Sequence, residues 1–384
     1  MQRAHPLLVL LGICALALLS ACGKNKNVDP PAELTDIKAT INVDRVWDIG
    51  MEGEPKLRLG LGVSSDDVRA YAAGSDGEVA AFDIKNGKQI WRIKSRVRLA
   101  GGPGTGEGLV VVGGAYGDVV ALDAASGGLK WRTRVNSEIL AAPAIGPGVV
   151  VVRSVDGRLH GLSSADGKPL WTAEQQVPRL SLRGTGEPVI VGDLVICGFD
   201  NGKLLAINLK DGNDAWEAQV SPPSGRTELE RLVDIDSAVH AAEDDIYAVS
   251  FQGRIARLAR DTGQVWWSRE VSSYRGLDTD EDGVYVSTAD GEIVKIGRRT
   301  GVELWRSKVL AHRRLSAPAV MGKQVAVADL EGYVHWLDIE TGTIVGRSKS
   351  GGDRVTAAPK LAGDTLLVLN DKGHLTAFRV TPRG

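Results

Sequence analysis

The chain has 384 residues, of which 43% are hydrophobic and 24% charged, and its formal net charge is -2. That apolar content is enough for a large core and excludes a disordered chain, while near-neutral charge without a long Lys/Arg run excludes the footprint of a nucleic-acid binder. Forty-seven glycines beside only four phenylalanines favour short strands joined by many tight turns, an all-β pattern.

Residues 1–21 read as an export signal, because Arg3 and His5 precede an apolar stretch from Leu7 to Leu19 that is too short to span a bilayer. The stretch ends in Leu19-Ser20-Ala21-Cys22, which resembles the bacterial lipobox and implies that Cys22 is acylated and becomes the first mature residue. Two or three acyl chains anchor firmly where one does not, since each buried CH₂ contributes about 0.8 kcal/mol. Gly23 stands where an inner-membrane retention signal would have Asp, so the resemblance implies the periplasmic face of the outer membrane. Residues 22–41, with Pro30 and Pro31, read as lipidated cysteine and tether, and 42–381 as the folded body. Cys14 falls in the signal, which leaves Cys197 of the strand-like run Val195-Ile196-Cys197 without a disulfide partner, as a buried, inert thiol.

The body is a repeat. A first glycine recurs at Gly77, Gly117, Gly157, Gly202, Gly253, Gly291, Gly332 and Gly373, which makes eight units with a period near 40 residues. Ten residues later a second glycine follows in seven of them, from Gly87 to Gly342. Fourteen residues after the first glycine stands Trp91, Trp131, Trp171, Trp216, Trp267 or Trp305, with Gly346 the one departure. Aliphatic or aromatic residues occupy the second and fifth positions after the first glycine, as in Val79 and Phe82, or Leu159 and Leu162. An odd separation on a strand puts such a pair on opposite faces, so both faces of each sheet are apolar and each sheet needs two neighbours. Blades arranged around an axis supply them, and the expected fold is an eight-bladed β-propeller.

The eighth unit stops at Phe378-Arg379-Val380, before its second glycine and tryptophan, whereas Val43 to Trp47 forms a strand-like segment ahead of the first unit. The N-terminal strand is therefore expected to complete the last blade and supply its tryptophan, Trp47, which closes the ring and removes free sheet edges. Two links between units are longer than the rest, Gln175 to Glu187 and Ser221 to Ala238. Equivalent links share a face of a propeller and these two are consecutive, so they should form one surface in which Leu180, Leu182 and Leu229 are ringed by charges of both signs.

The pattern Gly-x-x-x-Ala-x-Asp-x-x-x-Gly-x-x-x-Trp, as in Gly77 to Trp91, resembles the tryptophan-docking repeat of quinoprotein propellers. Together with the lipobox, the segments Leu180-Ser181-Leu182-Arg183-Gly184, Arg231 to Asp236 and Gly332-Tyr333-Val334-His335-Trp336 make the chain similar to the BamB family, lipoprotein subunits of the outer-membrane β-barrel assembly machinery. The resemblance implies a non-enzymatic scaffold that binds a periplasmic POTRA domain of BamA, with unfolded outer-membrane proteins as further partners. Carried over by position, it implicates Leu180, Leu182, Arg183, Asp234 and Asp236 in partner binding.

Other motifs point nowhere. Asp278-x-Asp280-x-Asp282-Gly283 opens like a calcium loop, but its twelfth position is Ala289 rather than the bidentate Glu, so an acidic turn is expected. Gly104-x-Gly106-x-Gly108 lacks dinucleotide spacing and reads as a flexible turn. His160, His240, His312, His335 and His374 are scattered without an acidic neighbour, which speaks against a metal site. The competing enzyme reading, a pyrroloquinoline-quinone dehydrogenase, lacks the adjacent Cys pair that such enzymes commonly carry, and no cofactor is expected.

Overall fold

The computed structural model describes residues 29–51, 60–66, 68–176, 178, 186–227 and 229–383. Among them, strands assemble into eight sheets, each with four antiparallel strands running outward from a central axis; the second blade also takes up Gly60–Leu61 as a short fifth strand, parallel to Leu99–Gly106. Blade 3 is representative: Ala144–Gly146, Val149–Arg153, Arg158–Ser163 and Pro169–Glu174, joined by hairpins whose tight turns carry the two repeating glycines. Gly157 and Gly167, at φ of +86° and +72°, take the left-handed conformation that those turns require.

Burial follows position in the blade. Val149–Arg153 is buried along its whole length because both faces meet a neighbouring blade, whereas Pro169–Glu174 at the rim buries Trp171 alone. Val79 packs between blades 1 and 2 while Phe82 packs between blades 8 and 1, so the paired apolar positions do point to opposite faces. Eight hydrophobic clusters result, one for each interface between consecutive blades, and the cluster of Trp47, Phe82, Leu369 and Ala377 joins the last blade to the first. The ring is closed.

Closure uses the N-terminal strand. Ile41–Gly50 pairs antiparallel with His374–Pro382, from Ile41 opposite Pro382 to Gly50 opposite His374. In every outer strand the ladder slips by one residue just before the tryptophan position, a β-bulge that turns the indole toward the next blade. Each indole Nε1 then donates to a carbonyl of that blade: Trp47 to Ile84 at 2.8 Å, Trp91 to Ala124 at 3.0 Å, Trp131 to Ser164 at 2.8 Å and Trp171 to Leu209 at 2.9 Å. Trp216, Trp267 and Trp305 do the same to Arg260, Arg298 and Ile339.

Gly346, where the tryptophan is missing, has a cause in this closure. A Cβ there would meet Ile41 Cδ1 at 2.9 Å and Val43 Cγ2 at 3.0 Å, so the incoming strand occupies the space that an indole fills elsewhere. The buried pair Trp336 and Phe378, with ring centroids 5.4 Å apart, completes that interface.

Two local expectations need correction. Gly104 and Gly106 are not in a flexible turn but in the strand Leu99–Gly106, where a Cβ on Gly104 would stand 1.8 Å from the Pro143 carbonyl oxygen; glycine is there because two inner strands approach closely. Four histidines do have acidic neighbours, supplied by other strands, turns or the N-terminal segment: His335 beside Asp329 at 3.0 Å, His240 beside Asp278 at 3.3 Å, His374 beside Asp48 at 3.4 Å and His312 beside Asp29 at 3.9 Å. The Asp280 turn is as expected, with Oδ1 accepting the N–H groups of Asp282 and Gly283.

Candidate partner interface

The two long links connect blade 3 to blade 4 and blade 4 to blade 5, between the outer strand of one and the inner strands Val189–Val191 and His240–Ala242 of the next. Leu180, Leu182 and Arg183 lie outside the described residues. The described ends of the links meet: a Cβ on Gly186 would be 2.7 Å from the Ile235 carbonyl oxygen.

The second link has a built tip. Glu230 Oε2 accepts the N–H groups of Arg226 at 2.6 Å and Thr227 at 3.2 Å, while Thr227 Oγ1 accepts the N–H of Glu230 at 3.2 Å. These reciprocal bonds resemble a capping box and hold the Glu230 carboxyl below its ordinary range. Arg231 Nε closes the tip onto the Gly225 carbonyl at 3.1 Å. The result displays Leu229, 65% exposed, among the exposed side chains of Arg226, Glu230 and Arg231.

The chain then dives inward, and Leu232, Val233, Asp234 and Ile235 are buried. The Ile235 N–H donates to the Phe199 carbonyl at 3.3 Å, and the Asp234 carbonyl accepts from the Phe251 N–H at 2.9 Å, so this stretch bridges turns of blades 4 and 5. Asp234 is thus an internal carboxylate. Asp236 is half-buried at the wall of the axial cavity, with its Oδ1 sealed from water and unpaired. Burial, reinforced by Asp234 and Asp200, pushes the Asp236 carboxyl up to about 8.

Beneath both links sits Arg153, which sequence reasoning did not single out. Its side chain is 1% exposed; Nη2 donates to Asp200 Oδ1 at 2.9 Å, and Nη1 donates to the carbonyl oxygens of Gly186, at 3.2 Å, and Gly198. The guanidinium lies over the Phe199 ring, 4.5 Å from its centroid. One cation therefore binds the end of the first link to the blade 4 turn against which the second link packs. The signal was present: at the position four before the first glycine, other units carry Ala73, Gly113, Gly198, Val249, Ser287, Ala328 and Leu369, and only this unit has a charge. Cys197 is buried beside this arginine, and burial pushes its thiol up, away from the reactive thiolate.

The axial cavity, about 1290 Å³, is lined by residues from the inner strands and links of the blades, including Asp236, His240, Asp278, Arg275 and Lys360. Asp278 is committed within it, accepting the Val320 N–H at 2.7 Å and facing His240. Among the described residues no group of three His, Cys, Asp or Glu side chains is placed to hold a metal ion. What the link surface offers is an apolar anchor in a charged rim on a rigid base, the anatomy of a protein interface.

Comparison with known proteins gives one family. The model of the family described as outer membrane protein assembly factor BamB matches residues 75–302 and 289–381. The outer membrane protein assembly factor BamB of Pseudomonas aeruginosa is 44% identical over 380 residues, 99% of each chain. That of Alkalilimnicola ehrlichii is 43% identical over 372 residues, covering 97% of this chain and 96% of the relative. Among solved structures, BamB from Moraxella catarrhalis superposes with a TM-score of 0.81 at 28% identity, over 88% of this chain and all of the other. A europium-containing methanol dehydrogenase matches with a TM-score of 0.68 at 13% identity, over 88% of this chain and 93% of its own, a likeness of fold alone.

Proposed function

The chain belongs to the BamB family of outer membrane protein assembly factors, and from that premise we propose that it is a lipid-anchored, non-catalytic scaffold of the assembly machinery that holds a periplasmic POTRA domain of BamA. The docking surface is the one built by the two long links. The observation that carries this reading is the hydrogen-bonded tip from Gly225 to Arg231, which presents Leu229 to solvent on a base fixed by Arg153. Anchors that are ordered before binding lose little entropy on association, so a rigid tip suits a stable complex.

Within this reading Leu180, Leu182 and Arg183 act together with Leu229 as contact residues. Asp234, being buried, acts through the shape of the loop that it holds, and Asp236 sits where the loop meets the axial cavity. Acylated Cys22 keeps the propeller at the periplasmic face of the outer membrane, and unfolded outer-membrane proteins are the clients whose folding and insertion it aids. Capture of BamA from detergent-solubilised envelopes tests the surface. Leu182→Asp with Leu229→Asp should abolish capture while thermal unfolding stays at the parent's temperature; full capture by that folded double variant rejects the site.

A further inference from the structure

Residues 29–40 do not hang free of the propeller. They run along blades 6 and 7 with Ala32, Leu34, Ile37 and Ala39 half-buried and the residues between them mostly exposed. Leu34 packs on the hydrophobic cluster between those blades. The Ala32 N–H donates to the Ala311 carbonyl at 2.9 Å, and the Thr40 N–H donates to the Val345 carbonyl at 3.0 Å.

Two arginines grip this segment from below. Arg313 Nη1 donates to the Ala32 carbonyl at 2.9 Å, and Arg347 Nη1 donates to the Thr35 carbonyl at 2.9 Å. Both are held in place before they touch it. Arg313 Nε donates to Asp329 Oδ2 at 2.7 Å and its Nη2 to Glu331, while Arg347 Nε donates to His335 Nδ1 at 3.2 Å. His335 must then carry its proton on Nε2, 3.0 Å from Asp329 Oδ2, so one fully buried carboxylate orients both arginines. The remaining Asp329 oxygen accepts the N–H groups of Glu331 and Tyr333, which ties the device to the first-glycine turn of blade 7.

We propose that residues 29–40 are a strap, clamped by Arg313 and Arg347, that fixes how the propeller stands on the membrane, with the blade 6–7 rim toward the lipid. The proposal rests on the reading that Cys22 is acylated. Chain length supplies the argument. Seven residue steps separate Cys22 from Asp29, a reach of at most about 25 Å, whereas a tether free up to Ile41 would reach about 65 Å. The shorter leash ends beside the loop before blade 7, where Asp29 lies 3.9 Å from His312 and where Val309 and Lys308 are exposed. An apolar residue next to a cation suits the headgroup boundary of a bilayer. Blade 3 stands across the axis from blade 7, so its rim is turned away from the lipid, toward periplasmic partners.

The experiment has two arms. In the chain beginning at Gly23, without lipid, the amides of Ala32 and Thr40 should exchange with deuterium at least ~10-fold more slowly than in Arg347→Ala or in Arg313→Ala with Arg347→Ala. Exchange at unprotected rates in the parent chain overturns the strap. In the full acylated protein on vesicles of phosphatidylethanolamine and phosphatidylglycerol, a fluorophore at Lys308→Cys should be quenched several-fold more by a headgroup-borne quencher than one at Lys168→Cys on blade 3. The arginine variants should bring the two sites together. Equal quenching in the parent protein, with flotation on vesicles intact, overturns the fixed orientation; failure to float instead rejects the acylation reading and the membrane role with it, while the exchange arm still decides the clamp.

Discussion

The indole of Trp131 lies so close to Gly167 of the next blade that a β-carbon on the glycine would come within 2.5 Å of the ring. The same pairing recurs from Trp47 on Gly87 to Trp305 on Gly342, so the second glycine of the repeat marks the seat of the preceding blade's tryptophan.

Trp131→Ala should therefore cost about 3–5 kcal/mol, the range for emptying a buried aromatic site. Gly167→Ala removes no contact but adds a clash and a strained φ of +72°, and it too should lower the urea midpoint. A midpoint unchanged by either substitution would show that the blades are not held together through this seat.

Arg153→Leu leaves Asp200 buried without its cation. Loss of one partner of a buried pair costs on the order of 3–5 kcal/mol, and Arg153→Leu with Asp200→Leu should recover part of that loss. Equilibrium unfolding of the parent, the single and the double variant measures it. The single variant should also weaken BamA capture, because the Gly186 end of the first link loses its anchor.

Asp236 gives a pH dependence whose sign follows from its raised value of about 8. Between the ordinary Asp range and that value the unfolded chain has released a proton that the folded chain keeps, so this group's contribution to stability falls as pH rises through the window. Asp236→Asn should melt above the parent at pH 8 and with it at pH 4, followed by calorimetry. A constant difference across both pH values would mean that the carboxyl is not held neutral.

The latch makes the fourth prediction. Gly346→Val places methyl groups against Ile41 and Val43, so the strand Ile41–Gly50 should become accessible to a protease under native conditions well before blades 2 to 6 do. Uniform resistance along the chain would separate the latch from the Gly346 gap.

Much of this was readable one strand at a time. Turn glycines, the tryptophan fourteen residues on and the paired apolar positions are each local marks, and repeating them eight times specifies sheets that are buried on both faces. The missing tryptophan at Gly346 stood out in the sequence as a departure, but its cause, the side chains of Ile41 and Val43 on the incoming strand, did not. The interface was less legible. Asp234 and Leu229 stand five residues apart in one polar link, yet one is wholly buried and the other 65% exposed, and nothing in their own neighbourhood separates them.

The sequence by itself determined the number of blades, the closure by the first strand and the faces that pack, since these depend on a period that hydrogen-bonded strands read directly. Only the tertiary structure decided that Arg153 pins the first long link to the blade 4 turn that supports the second, that His335 has Asp329 beside it, and that residues 29–40 lie clamped on blades 6 and 7. Each of these is a polar contact between parts of the chain that the folded ring brings together, with a side chain meeting either another side chain or a backbone carbonyl. Such polar contacts leave no periodic trace, because burial forces a charged group to find whichever partner the finished ring has brought within reach.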